Sequence, residues 1–123
     1  MPTVLVIEDE APIRENLVRM LQFEGFTVAA AENGAVGLAL ARERSPDLIL
    51  CDVMMPVMNG FEVLHALRAD AALAAIPFIY LTASADKENV ARGIELGAAD
   101  YVTKPFNLRE LVDLIRRRIG DRG

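Results

Sequence analysis

A single α/β domain built on a parallel sheet is the fold class that this chain predicts, and three observations predict it. Apolar runs of four to six residues alternate with segments of helical period, the pattern of strands joined by crossover helices. The length, 123 residues, suits one domain with a real core. Hydrophobic residues make up 53% of the chain and charged residues 25%, a balance that disordered segments do not have.

The elements follow in order. Thr3-Val4-Leu5-Val6-Ile7 reads as the first strand and runs into Glu8-Asp9. A helix then starts near Ala11-Pro12, where proline suits the first turn, carries Ile13, Leu17, Met20 and Leu21 on one face, and stops at Gly25. Phe26-Thr27-Val28-Ala29-Ala30 forms the second strand. Asn33 caps an alanine-rich helix to about Arg44, which Ser45-Pro46-Asp47 breaks. The third strand, Leu48-Ile49-Leu50-Cys51, runs into Asp52. A loop with turn chemistry, Val53-Met54-Met55-Pro56-Val57-Met58-Asn59-Gly60, leads to a helix displaying Phe61, Leu64 and Leu67. After Pro77, the strand Phe78-Ile79-Tyr80-Leu81 runs into Thr82. The helix around Lys87–Leu96 contains Gly93, which costs about 1 kcal/mol relative to alanine and makes it the weakest helix by propensity. Tyr101-Val102-Thr103 runs into Lys104-Pro105. The last helix begins at Asn107, with Glu110 three residues on as in a capping box, and buries Leu108, Leu111, Val112, Ile115 and Ile119.

Charge and composition exclude several classes. A net charge of −5 with no basic stripe argues against direct binding of nucleic acid. The dense cationic cluster, Arg116-Arg117-Arg118, sits late in the last helix and reads as a complement to that helix's negative end. Met1-Pro2 leads straight into a strand pattern, so no secretory signal is expected. The longest uncharged stretch, Ala71 to Ala85, is interrupted by Pro77 and falls short of the ~20 apolar residues of a membrane span. A single cysteine, Cys51, cannot form an internal disulfide and suits a reducing, cytoplasmic setting. Cys51 reads as a small core residue, because the lone His65 lies on a helix pattern further along and reads as a surface or partner-contact residue.

If the runs are parallel strands, their carboxyl ends share the sheet edge where open α/β folds place ligands. Glu8, Asp9, Asp52, Thr82 and Lys104 then converge. Two unit charges about 4 Å apart repel by roughly 4 kcal/mol at an effective dielectric near 20, so three crowded carboxylates call for a cation. Oxygen-only ligands suit Mg²⁺, with Mn²⁺ as a substitute. Glu8 and Asp9 could equally cap the following helix, but Asp52 caps nothing obvious. Asp52 is also the best nucleophile on offer, able to attack phosphorus and form an aspartyl phosphate. Lys104 would pair with the outlying phosphoryl oxygens and the Thr82 hydroxyl would donate to another. Alone, Lys104 would read as a solvated lysine; its place at the end of an apolar strand on the same edge gives it a role.

With these residues in place the chain resembles, over essentially its whole length, the receiver domain of bacterial two-component response regulators, the chemotaxis-regulator type among them. The resemblance rests on Val6-Ile7-Glu8-Asp9, Asp52-Val53-Met54-Met55-Pro56-Val57-Met58-Asn59-Gly60, Leu81-Thr82-Ala83, Gly97-Ala98-Ala99-Asp100-Tyr101 and Thr103-Lys104-Pro105-Phe106. It implies one flavodoxin-like (βα)5 doubly wound domain over residues 1–123, with strand order 2-1-3-4-5. By the same resemblance Asp52 is the phosphoacceptor, with Glu8, Asp9 and the Met54 backbone carbonyl as further Mg²⁺ ligands. Thr82 and Tyr101 are the switch pair, Met54 and Ser84 tune the phosphoryl lifetime, and the Lys104–Pro105 bond is cis. The phosphoryl group comes from a histidine kinase or phosphotransfer protein, and output passes to a downstream protein target. No membrane takes part, and the domain is not otherwise an enzyme.

Competing readings fit less well. An aspartate-nucleophile phosphatase of the haloacid dehalogenase class would want a second aspartate two places after the nucleophile, where Met54 stands. A flavodoxin-like electron carrier would want a phosphate loop where Glu8-Asp9-Glu10 would repel phosphate. No glycine-rich dinucleotide fingerprint or P-loop follows any strand. A purely structural interaction module would have no use for Asp52 and Lys104 at strand ends. Receivers joined to winged-helix DNA-binding domains dimerise through helix 4, strand 5 and helix 5 with salt bridges, and Arg92 and Glu110 resemble one such pair. Ala99 and Leu114 stand where that subfamily usually has an acid and an arginine. The expectation is a single-domain regulator or a receiver of another architecture, monomeric or weakly dimeric. A receiver cut from a longer protein with a DNA-binding or enzymatic output module is the alternative.

Overall fold

Strands and helices alternate strictly along the chain: β1 (Thr3–Ile7), α1 (Ala11–Phe23), β2 (Thr27–Ala31), α2 (Gly34–Arg44), β3 (Leu48–Asp52), α3 (Gly60–Ala69), β4 (Phe78–Thr82), α4 (Lys87–Glu95), β5 (Asp100–Thr103) and α5 (Leu108–Arg122). The computed structural model describes residues 2–82, 87–104 and 106–122, with only the backbone described at 87–90, 121 and 122. The strands form one parallel sheet in the order β2-β1-β3-β4-β5, the doubly wound order expected. β2 lies one residue later than the sequence suggested. Among the described residues no helix is long and apolar enough to cross a membrane.

Crossover helices cover both faces of the sheet, so its central strands are apolar on both sides. Alternation along each strand sorts their side chains into two cores. Leu5, Ile7, Ile49, Cys51, Phe78 and Tyr80 face the layer of α2 and α3. Val4, Val6, Leu48, Leu50, Ile79 and Leu81 face α1 and α5. Leu17 and Leu21 of α1, and Leu111, Val112 and Ile115 of α5, are the buried residues of that second layer, as their helical spacing predicted. Ile13, Leu108 and Ile119 pack at its margin.

Local chemistry sets the helix ends. Asn33 Oδ1 accepts from Val36 N at 2.9 Å to open α2, and Asn107 Oδ1 accepts from Glu110 N at 3.1 Å to open α5. The structure adds a full capping box at the start of α3. There Asn59 Oδ1 accepts from Glu62 N at 2.9 Å, and the Asn59 N–H donates to Glu62 Oε1 at 3.2 Å. Ser45 closes α2 in the left-handed region with φ of 45°.

Two sequence readings change. Two of the arginines at 116–118 answer to other elements rather than to the end of their own helix: Arg116 donates to the backbone carbonyl of Glu24, the C-cap of α1, at 3.0 Å and lies 3.6 Å from Glu24 Oε2, and Arg118 pairs with Asp100 Oδ2 at 3.1 Å. The helix continues to Arg122, so the cluster lies ahead of the last turn where the negative end acts. Gly93 also gains a reason. A Cβ there would overlap the Tyr80 ring, so the close approach of α4 to the sheet uses the missing side chain at 93. Tyr80 in turn sits edge-on to Phe61 and Phe78, at centroid distances of 5.3 and 5.0 Å, and cannot easily retreat.

Gly93→Ala is therefore expected to destabilise the protein even though alanine is the better helix former. Overpacking costs about 1–3 kcal/mol against a propensity gain of about 1 kcal/mol. Urea unfolding should show a lower midpoint for the variant; a higher one would mean that the ring yields freely.

Candidate functional site

Register places the chemistry. Ile7 pairs with Cys51, and Asp52 with Leu81. The ladders run one step further: Glu8 N donates to Ala31 O at 3.0 Å, Val53 N to Leu81 O at 3.0 Å and Lys104 N to Thr82 O at 2.7 Å. The ends of β1, β3, β4 and β5 are thereby held level. By the two-residue period, Glu8 continues the Val4–Val6 face of β1 and Asp52 the Leu48–Leu50 face of β3. The two carboxylates thus meet on one side of the sheet edge.

Glu8, Asp52 and Thr82 are the polar residues buried in the described structure. Lys104 Nζ donates to Glu8 Oε1 at 2.9 Å and lies 3.3 Å from Asp52 Oδ2. Carboxylate oxygens of Glu8, Asp9 and Asp52, one from each, lie within 4.8 Å of one another. Glu8 Oε2 and Asp9 Oδ1 are buried and accept no hydrogen bond. Buried carboxyl oxygens that accept no hydrogen bond fit a hard divalent cation such as Mg²⁺, which takes one or two carboxylates and keeps its remaining positions for water and phosphate. The structure brings together the acid pair, Asp52, Thr82 and Lys104 that the sequence singled out.

The loop after Asp52 shapes the rim. The Met54 N–H donates to Asp52 Oδ1 at 3.4 Å, and Met54 as a residue is 70% exposed. Met58 N donates to Pro56 O at 2.8 Å, closing a γ-turn on Val57, whose φ is 71°. A β-branched residue in that region stores about 1–3 kcal/mol of strain. Gly60 opens α3 close behind Asp52, and a Cβ there would sit 2.6 Å from Asp52 O. Its N–H donates to Val53 O at 2.9 Å, fastening the loop to β3.

Other singled-out residues fall as follows. Tyr101 is 38% exposed on β5 and lines a groove with Phe106, Asn107 and Glu110. Ser84 and the Lys104–Pro105 bond lie outside the described residues. Cys51 is buried, its thiol donating to Asp52 O at 3.3 Å, and burial pushes that thiol well above its usual pKa, in keeping with a core residue. His65 is exposed on α3. The Arg92 guanidinium lies 4.6 Å from the centroid of the Phe61 ring and so has an intramolecular partner. Sequence reasoning missed Arg14, whose Nη1 donates to the backbone carbonyls of Glu8 at 2.8 Å and Asp9 at 3.4 Å. Its only signal was a cation one turn into the helix that follows the acids.

Burial pushes the Glu8 carboxyl up to about 7, with Asp52 adding to the rise and the Lys104 hydrogen bond opposing it. Burial works against the Lys104 ammonium, but its bond to Glu8 and the charges of Asp52 and Glu8 outweigh that and raise its pKa. The folded Glu8 holds its proton above the unfolded value of 4.5, so the native state binds more protons between about 4.5 and 7. Its contribution to stability is full below that window and is lost as pH rises through it. Unfolding of metal-free protein in chelator should show Glu8→Gln gaining stability relative to the native chain as pH rises from about 4.5 to 7.5. A pH-independent difference would show that Glu8 is not held protonated.

Comparison with known proteins places the fold in a family. The family model of the response regulator receiver domain matches residues 4–116. The phosphate regulon transcriptional regulatory protein PhoB of Pseudomonas aeruginosa is 43% identical over 121 residues, 96% of this chain and 53% of that protein. The DNA-binding response regulator MtrA of Mycobacterium tuberculosis is 43% identical over 116 residues, 94% of this chain and 50% of that protein. The chain thus spans about half the length of these curated relatives. Among solved structures, the chemotaxis protein CheY4 of Vibrio cholerae superposes with a TM-score of 0.91 at 35% identity, covering 95% of this chain and 98% of that one. With its parallel sheet, its acidic strand ends and its half-buried lysine, the chain belongs to the family of two-component response regulator receiver domains.

Proposed function

We propose that Asp52 accepts a phosphoryl group from a phosphohistidine of a histidine kinase or phosphotransfer protein, in a reaction that requires Mg²⁺. The observation that carries this reading is the imbalance at the sheet edge. Three carboxylates crowd within 4.8 Å, two of their buried oxygens accept no hydrogen bond, and Lys104 bridges Glu8 and Asp52. Glu8, Asp9, Asp52 and the Met54 carbonyl would hold the metal, with Mn²⁺ as a substitute. When bound, Mg²⁺ offsets the negative charge of the carboxylates and of the incoming phosphoryl oxygens.

An Asp52 carboxylate oxygen forms the new bond to phosphorus as the phosphorus–nitrogen bond of the donor breaks and the imidazole nitrogen keeps the electron pair. Lys104 is held beside Asp52 by Glu8 and pairs with an outlying phosphoryl oxygen. The Thr82 hydroxyl, at the end of the adjacent strand, donates to another. Drawing Thr82 inward vacates space into which the Tyr101 ring turns, and this resets the face made by α4, β5 and α5 for a protein target. The domain catalyses only its own phosphorylation and dephosphorylation, works in the cytoplasm without a membrane or direct nucleic-acid contact, and is a monomer or weak dimer. Residues 1–123 act together as the receiver. The half-length match to PhoB and MtrA favours a second reading, in which the receiver serves a longer regulator with a DNA-binding or enzymatic output module.

Incubation with acetyl phosphate and Mg²⁺ should add one phosphoryl mass to the native chain and none to Asp52→Asn, and chelator should abolish the addition. Labelling that survives either change sinks the assignment.

The phosphoryl group should be lost slowly, because the Met54 side chain stands exposed at the rim and, like Ser84, has no amide or acid with which to align a water. Met54→Asn combined with Ser84→Glu is expected to shorten the lifetime by about tenfold or more. An unchanged decay of the phosphorylated double variant would show that the lifetime is set elsewhere.

A further inference from the structure

We infer that Arg14 is a positioning residue for the metal-binding turn, fixing the backbone of Glu8 and Asp9 so that both carboxylates face the cation site. The inference rests on the Mg²⁺-dependent reading above and assigns a role to a side chain outside the acid cluster itself.

The turn between β1 and α1 carries two of the three carboxylates and has few other restraints. Glu8 N is tied to Ala31 O at 3.0 Å, but beyond it the ordinary fastenings of a helix start are missing. The N-cap, Glu10, makes no side-chain cap hydrogen bond, and a proline in the first turn removes a donor. The first bond of the helix is Arg14 N to Glu10 O at 2.9 Å. From that same residue Nη1 reaches back and is shared between the carbonyls of Glu8 at 2.8 Å and Asp9 at 3.4 Å. One side chain, rooted in the second turn of α1, thus holds two successive peptide planes. Those planes set the directions in which the Glu8 and Asp9 side chains leave the backbone.

Arg14 also brings a positive charge near a cation site, and that works in the opposite sense. If charge were its main effect, removing it would tighten Mg²⁺ binding. If it acts as a clamp, removing it loosens the ligand pair and weakens binding, as loss of outer-sphere support does at metal sites. The sign of the change separates the two.

The test is a Mg²⁺ titration followed by amide chemical shifts in the native chain, in Arg14→Met and in Arg14→Lys. Methionine keeps much of the apolar stem without a donor, and lysine keeps the charge and one donor group. The expected result is binding about tenfold weaker in Arg14→Met, with Arg14→Lys in between, and faster amide exchange at Asp9 and Glu10 in Arg14→Met. Phosphorylation by acetyl phosphate at saturating Mg²⁺ should stay within about twofold of native, since the clamp acts on the approach to a formed site. Unchanged or tighter Mg²⁺ binding in Arg14→Met overturns the inference, as does a loss that persists undiminished at saturating Mg²⁺. If Arg14→Met proves unfolded by circular dichroism, Arg14→Lys decides alone: native affinity and native exchange at Asp9 and Glu10 count against the clamp. A native chain that binds no Mg²⁺ removes the parent reading, and that outcome is visible without any variant.

Discussion

The contact between the Lys104 ammonium and the carboxylates of Glu8 and Asp52 is the constraint around which the rest is arranged. It joins residues 96 positions apart and lies where three strands end. A carboxylate taken out of water is costly unless a partner is close, and Glu8 is wholly buried. Lys104 relieves part of that cost and no more, since the acids outnumber it and Glu8 still rises toward neutrality. A receptive site results, with charge that the protein alone does not balance.

Such a cluster survives only on a sheet whose register is firmly set. A slip of one residue in β1 or β3 would send Glu8 or Asp52 to the opposite face and drive an apolar neighbour into the polar edge. The apolar alternation that builds the two cores therefore also aims the acids. Behind Asp52, Gly60 and the Asn59–Glu62 capping box bring the start of α3 close against the strand end. In front, the strained γ-turn at Val57 is held by packing on either side: Met55 is buried and Met58 is partly so. Stability won in the cores is thus spent at the rim of the site.

Much of this was legible in the sequence because the informative residues sit at strand ends. An apolar run terminating in Asp52 or Lys104 marks both the strand and the edge on which its chemistry falls. The strand order was available only through family resemblance, since five similar runs carry no label of who pairs with whom. What stayed hidden depends on contacts between distant segments. The Asn59–Glu62 box was obscured by a loop already rich in turn residues. The partners of Arg116 and Arg118, Glu24 and Asp100, come from other elements and leave no local pattern. Arg14 acts on backbone carbonyls, which every residue has, so no spacing of side chains could announce it.

Gly93 illustrates the same limit and carries a consequence for how this domain can change over time. Read locally it is a flaw in a short helix; in the fold it is the socket that receives the Tyr80 ring. The volumes at the two positions are therefore coupled, one on the sheet and one on the helix above it. A side chain gained at 93 first overpacks against the Tyr80 ring, and shrinking 80 first opens a cavity beside Phe61 and Phe78. Each order of events passes through a less stable intermediate. The pair is thus expected to change together or not at all, and descendants of this chain that differ elsewhere on α4 inherit the same close approach of helix to sheet.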